Sequence, residues 1–358
     1  MIIVYILIAV LLFGILIAVH EFGHFIAAKS LGVKVNEFAI GMGPRILSKK
    51  KGETEYTWRL FPIGGFCAME GEGEDSADPR AFNNKSRWKR LIILVAGAFM
   101  NFVVGVLIIL LLVCQTTQIA YPVVSGFPEW SSLEAEGLQV GDRFLKIDGH
   151  EVYTYGDASM LIGRAGPVAD IEVKRNGETV LLQDFNMPPK EVLENGETVL
   201  RRGVNVGAEY VEATLPLRLQ TVWYQAIDYV RMVWMGLGDL ITGRVSVRDM
   251  SGVVGIVSMV GEVGEAGAES AGMMGAFLNI LNFFGFIAVN LAVMNLLPIP
   301  ALDGGQILFL GVDKVYHLFT KKSINQKYLG YINAAGFLCL IGLMVVVAFS
   351  DVLKLFGR

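Results

Sequence analysis

Long apolar runs alternate with polar stretches along this chain, and the alternation alone lays out most of its elements. Ile2 to Val19 carries no charge, which is long enough to begin a membrane span. A cleaved secretory leader would open on basic residues and close on small ones. Here no Lys or Arg precedes the run, and His20, Glu21 and His24 follow it. The pattern therefore predicts a retained helix from about Ile2 to Ala28. Leu91 to Val113 reads as a second span, with Asn101 its one strongly polar interior residue. Phe277 to Leu297 and Ile332 to Phe349 read as a third and a fourth.

Between these runs the pattern changes. In Lys29 to Arg90, Glu55 to Leu60 alternates as a strand does, and Gly41-Met-Gly-Pro44 and Phe61-Pro-Ile-Gly-Gly-Phe66 predict tight turns. A small hairpin-rich loop is expected, dipping toward the bilayer where protein or water can satisfy its backbone. Gln115 to Glu209 has soluble character, with short strand signals such as Phe144 to Ile147 before Asp148-Gly149, and Ala169 to Arg175 before Asn176-Gly177. Ala135-Glu-Gly137 is expected to close a short helix. From Pro216 to Ile241 apolar residues recur at helical spacing, and the stripe includes Trp223 and Trp234. It suits an interfacial helix and equally one packed on the soluble domain. Gly252 to Gly275 reads as a glycine-rich linker.

Composition sharpens the class. The chain is 53% hydrophobic and 18% charged, against about 25% charged in an ordinary soluble domain. Its net charge is -4, with no basic block of the kind nucleic acid requires, so no nucleic-acid partner is expected. Twelve Lys and Arg lie between Lys29 and Arg90, and Lys314, Lys321, Lys322 and Lys327 lie between the last two spans. Basic loops mark the cytoplasmic face. One topology follows: two loops inside, both termini and the soluble domain outside. Cys67, Cys114 and Cys339 are widely spaced, which predicts free thiols rather than a disulfide framework or a cysteine metal site.

The chemistry sits at the end of the first span. His20-Glu-Phe-Gly-His24 sets two imidazoles about 40° apart on one helix face, with Glu21 rotated by about 100° from His20. Two His ligands and a Glu base are the zinc-protease arrangement. A single charge at the centre of a span costs about 2.5–3.5 kcal/mol, and a bound dication gives a reason for all three groups. Catalytic zinc takes three protein ligands. His150 falls in the soluble domain, on the other side of the expected membrane, and His317 falls among loop residues. Asn295-Leu-Leu-Pro-Ile-Pro-Ala-Leu-Asp-Gly-Gly305 offers Asp303 beyond a proline break, at the same expected membrane level as His20 and His24. A plain N-cap at Asp303 would leave Asn295 unexplained.

These two motifs resemble, residue for residue, those of the site-2 protease family of intramembrane zinc metalloproteases. The bacterial regulator-of-sigma-E protease group is the most similar, and the resemblance covers nearly the whole chain. It implies zinc held by His20, His24 and Asp303, Glu21 as base, and Asn295 holding substrate or stabilising the oxyanion. It also implies a multi-pass protein of the bacterial plasma (inner) membrane that cuts single-span membrane proteins, such as anti-sigma factors or remnant signal peptides. Leu133 to Val152 resembles a PDZ signature, which implies a domain that gates access or takes a peptide ligand. A carboxylate-cradling loop is not identifiable around Val123 to Phe127. The strand-like stretch Glu55 to Leu60 and the Gly64-Gly65 turn are expected to offer an edge that receives the unwound substrate.

The expected architecture is thus an α-helical polytopic membrane protein of about four spans, with a cytoplasmic membrane-associated β-hairpin loop and an inserted extracytoplasmic PDZ-like α+β domain. Residues 1–114 form the first catalytic membrane segment and 115–210 the PDZ-like domain. Residues 211–275 form the interfacial helix and linker, and 276–358 the second catalytic membrane segment. A soluble-domain gluzincin would need its motif outside an apolar span. A metal transporter would need acidic or His pairs on several spans. A non-catalytic PDZ-bearing scaffold would have no use for Glu21.

Overall fold

A computed structural model describes residues 2–73, 76–194, 197–246, 250–322, 324 and 326–355. In chain order the elements are α1 (Ile2–Ser30), β1 (Val35–Lys51), β2 (Thr54–Met69), α2 (Arg87–Gln115), β3 (Gln118–Gly126), β4 (Arg143–Ile147), β5 (His150–Glu151), α3 (Tyr155–Arg164), β6 (Val168–Arg175), β7 (Glu178–Asn186), β8 (Lys190–Glu194), β9 (Glu197–Arg201), β10 (Asn205–Glu212), α4 (Leu215–Ile241), α5 (Val253–Asn295), α6 (Asp303–Thr320) and α7 (Gln326–Leu355). They divide into two compact units, residues 1–108 with 232–358, and residues 109–231.

In the first unit, four helices are long and apolar enough to cross a membrane: Val4–Ser30, Arg87–Gln115, Val254–Asn295 and Lys327–Lys354. The shortest holds 27 residues, about 40 Å of helix against a hydrocarbon core of about 30 Å. The polar stretch after α1 forms one long, curled antiparallel hairpin. Residues 37–40 of β1 pair with 65–68 of β2 on one side and with 55–58 on the other. The Gly41–Pro44 and Phe61–Phe66 stretches expected as turns therefore lie inside strands. Their glycines serve bulges where the register shifts, and Gly41, Gly43 and Gly64 take positive φ. β2 also runs against α1, so close that a Cβ on Gly14 would stand 2.6 Å from the Pro62 carbonyl oxygen. A buried apolar cluster ties these pieces together: Ala28 of α1, Val35 and Phe38 of β1, Cys67 and Met69 of β2, Ile93 and Leu94 of α2, and Leu310 of α6.

The Gly252–Gly275 stretch expected as a linker is helical. Val253 onward forms the first arm of α5, which doubles back at Ala271 (φ -147°) and Gly272 (φ +62°). Glycines that looked like flexibility serve close packing instead: a Cβ on Gly267 would stand 2.6 Å from the Gly275 carbonyl carbon. Val260 of this arm packs with Tyr5 and Ala9 of α1. Asp351, 3% exposed near the end of α7, accepts hydrogen bonds of 2.9 Å from the backbone N–H groups of Gly252 and Gly255. It caps α5 from another helix.

The second unit holds a sheet in the order β10-β3-β4-β6-β7, with β5 paired to β4, and a separate β8–β9 hairpin. The two hairpin turns read from the sequence are present, with positive φ at Asp148 and Gly149 and at Asn176 and Gly177. The short helix expected at Ala135–Gly137 is a turn. Phe144, Ile147, Leu161, Ile171, Val173 and Phe185 are buried. On α4, Val222, Ala226 and Tyr229 are buried, whereas Trp223 and Trp234 are 58% and 56% exposed. The helix thus has two apolar faces, one packed and one open. Its start is tied to the end of α2, because Arg218 donates to the carbonyl oxygens of Val113 and Cys114. Asp228 accepts from the Thr154 hydroxyl (2.8 Å) and from Arg231, which also pairs with buried Asp157.

Candidate metal centre

The last two turns of α1 carry His20, Glu21 and His24. α5 ends on Asn295, and a turn containing Pro298 and Pro300 leads to α6, which begins at Asp303. The proline break does what its chemistry requires. Leu302 rather than Asp303 stands at the N-cap, so the carboxylate is not spent on capping and faces the histidines. Asp303 Oδ2 lies 3.2 Å from His20 Nε2 and 3.3 Å from His24 Nε2. The two Nε2 atoms are 3.1 Å apart. Among the described residues this is the one group of three His, Cys, Asp or Glu whose ligand atoms lie within 4.8 Å of one another. His150 and His317 are not part of it.

This geometry fits zinc. Ligands at about 2.0–2.2 Å in a tetrahedron stand roughly 3.3 Å from each other, close to the three separations found. Asp303 Oδ2 is buried without a hydrogen bond, as a carboxylate oxygen reserved for a cation would be. The second ring nitrogen of His24 is also fixed. Its Nδ1 lies 2.8 Å from the Ile93 carbonyl oxygen, which only accepts, so Nδ1 carries the proton and Nε2 keeps its lone pair.

A cavity of about 360 Å³ opens on these groups, lined by His20, Glu21, His24, Asn295, Ala301 and Asp303 and walled on one side by Phe66 to Met69 of β2. Of the residues expected from the sequence, Glu21 and Asn295 therefore share the cavity with the three converging side chains. Gly64 and Gly65 do not line it. Gly65 lies just behind, where a Cβ would stand 3.5 Å from Glu21 Cγ, and Gly64 lies against the Met42 side chain.

Three contributors escaped the sequence reading. Gly97 of α2 seats both imidazoles, since a Cβ there would stand 2.7 Å from Cε1 of His20 and of His24. Glu72 borders this cavity and a second, smaller one. Of the wall residues, Phe66 was read as the end of a turn and Cys67 only as a free thiol. The single available signal for Gly97 was a small residue in a span four positions before Asn101, which is 1% exposed with an unpartnered Oδ1 among the described residues.

Residues 8–343 match peptidase family M50. The chain belongs to that family, the site-2 proteases. A Clostridium perfringens protein named as a candidate zinc metalloprotease is similar to this M50 protein at 37% identity over 354 residues, 98% of each chain. A Clostridium acetobutylicum protein of the same description is 36% identical over 355 residues, 97% of each. The zinc metalloprotease RasP of Bacillus licheniformis is 27% identical over 435 residues, covering 97% of this chain and 98% of its own. This M50 protein is a zinc metalloprotease, and its apolar helices are those of a multi-pass membrane protein.

Proposed function

We propose that this M50 protease hydrolyses peptide bonds within transmembrane segments of other membrane proteins, with zinc held by His20, His24 and Asp303. The observation that carries the reading is the convergence of those three donors, brought from α1 and the start of α6 in a unit whose long helices are of membrane-spanning composition. Bound zinc supplies an activated water at neutral pH and polarises the scissile carbonyl. Glu21, beside the donors, would serve as the base, taking a proton from the attacking water and passing it to the leaving amine. Asn295 presents an amide to the developing oxyanion.

A substrate helix has its carbonyls closed in hydrogen bonds and must unwind to be cut. The 65–68 stretch of β2 has β1 on one side only, and residues 66–69 border the cavity. Strand addition along this free edge is our reading of how the unwound segment is held. Gly64 gives the strand its bend, and Gly65 lets β2 lie close to the Ala39 carbonyl oxygen beside Glu21. Single-span proteins of the anti-sigma-factor or remnant-signal-peptide type are the proposed substrates.

The basic loops support a cytoplasmic position for the metal centre and an extracytoplasmic one for residues 115–210, in a bacterial plasma membrane. We read that domain as PDZ-like. β3 lies inside its sheet between β10 and β4, so the outer edge of β10, beside α3, is the strand position open to a peptide ligand. The open face of α4, with Trp223 and Trp234, is proposed to bed in the outer leaflet, because α4 starts where α2 ends.

The test compares the purified full-length protein with Glu21→Gln, measuring zinc by elemental analysis and cleavage of a tagged single-span substrate. Retained zinc with cleavage reduced by about 10²-fold or more is expected. Equal cleavage by both forms would sink the reading.

A further inference from the structure

The same site carries a second layer of control, and the inference rests on the zinc reading above. Each imidazole turns Nε2 toward Asp303, so each needs an acceptor for the proton left on Nδ1. An imidazole that ligates through one nitrogen is held by a hydrogen bond from the other. His24 has the Ile93 carbonyl oxygen. His20 has Asn295, whose amide nitrogen lies 3.4 Å from Nδ1. Two donors would then face each other. A half-turn of the asparagine amide exchanges Nδ2 and Oδ1 without any change of space, and only with the oxygen toward His20 are both groups satisfied.

We propose that Asn295 is a positioning residue for His20: its Oδ1 accepts the Nδ1 proton, fixes the ring with Nε2 toward the metal, and thereby turns both amide N–H groups of Asn295 into the cavity. One side chain then serves both halves of the reaction. The acceptor side aligns a ligand, and the donor side is presented, already oriented, where substrate oxygen develops charge. This differs from a purely substrate-binding asparagine, which would leave zinc affinity untouched. It also accounts for the choice of amide. Aspartate would accept from His20 but donate nothing, and leucine would fill the space and do neither.

The experiment measures zinc affinity by chelator competition and records the absorption spectrum of the cobalt-substituted protein, on full-length wild type, Asn295→Leu, Asn295→Asp and His24→Ala. Wild type holding one zinc, lost in His24→Ala, establishes the metal site independently of Asn295. Given that, Asn295→Leu should weaken zinc binding by about 10- to 100-fold and shift the cobalt bands. Asn295→Asp should bind zinc at least as tightly as wild type. Neither variant should cleave substrate at more than a few per cent of the wild-type rate. Zinc affinity within twofold of wild type and an unchanged cobalt spectrum in Asn295→Leu would overturn the proposal. So would equal weakening in Asn295→Leu and Asn295→Asp, which would show that the acceptor is irrelevant and that the substitution merely disturbs the end of α5.

Discussion

Gly97 and His24 approach so closely that a methyl group on the glycine would stand 2.7 Å from the imidazole Cε1, and equally close to that of His20. Real Cβ atoms do not sit at such distances from a rigid ring, so α2 or the rings must move. Gly97→Ala should weaken zinc binding by about tenfold or more, in line with the 1–3 kcal/mol typical of overpacking. Chelator competition reads the effect. Wild-type affinity would show that α2 can retreat at no cost.

Asp303 depends on the glycine that follows it. A Cβ on Gly304 would drive into the carbonyl oxygens of Leu296 and Leu297, while one on Gly311, further along α6, meets nothing within 4 Å. Gly304→Ala should lose zinc and cleavage together. Gly311→Ala should keep both and stabilise the helix by up to about 1 kcal/mol. Parallel zinc analysis and thermal unfolding of the two variants check the contrast.

Gly65 separates metal from chemistry. Its missing side chain would stand 2.9 Å from the Ala39 carbonyl oxygen and 3.5 Å from Glu21 Cγ, but the residue touches none of the three donors. The Glu21 distance is ordinary contact, so Gly65→Ala acts through the Ala39 carbonyl: the β1–β2 wall beside the cavity must shift, zinc should be retained, and cleavage should fall by about tenfold or more. Simultaneous loss of zinc would place the fault in α1 rather than in the wall.

In the second unit, Arg231 is the cation between buried Asp157 and Asp228. Burial, and then the like charge of Asp157, hold the Asp228 carboxyl above its ordinary range. A raised carboxyl favours the folded state in its neutral form, so that contribution is full below the unfolded value and is lost as pH rises through the folded one. Arg231→Met should therefore destabilise strongly near neutral pH, by about 3–5 kcal/mol, and less at acid pH, where the raised Asp228 carboxyl takes up its proton. Adding Asp228→Asn should restore part of the loss. Unfolding midpoints at the two pH values test both statements; a pH-independent deficit would reject them.

Much of the candidate metal centre was legible because it violates its surroundings. His20, Glu21 and His24 interrupt an uncharged run, and Asp303 follows a proline break that an ordinary span would not carry. The four long apolar helices were visible from their uncharged runs, Ile2 to Val19, Leu91 to Val113, Phe277 to Leu297 and Ile332 to Phe349. What escaped was written in glycine. At 41, 43 and 64 glycine looked like turns yet lies inside the paired strands β1 and β2; at 267 and 275 it looked like slack yet lets two helix backbones touch. At Gly97 the only signal was a small residue in a span, since the glycine acts by the side chain it lacks. A residue that works by leaving room is read only when its neighbours are in place.

The split of the metal donors has a consequence for biosynthesis. His20 emerges in the first helix, but Asp303 follows only after the fifth, and the first arm of α5 is capped by Asp351 near the end of α7. A chain still on the ribosome lacks a complete ligand set until most of its length has been inserted. On the proposed ligand set, a newly made copy is therefore inactive until its last helices are in place.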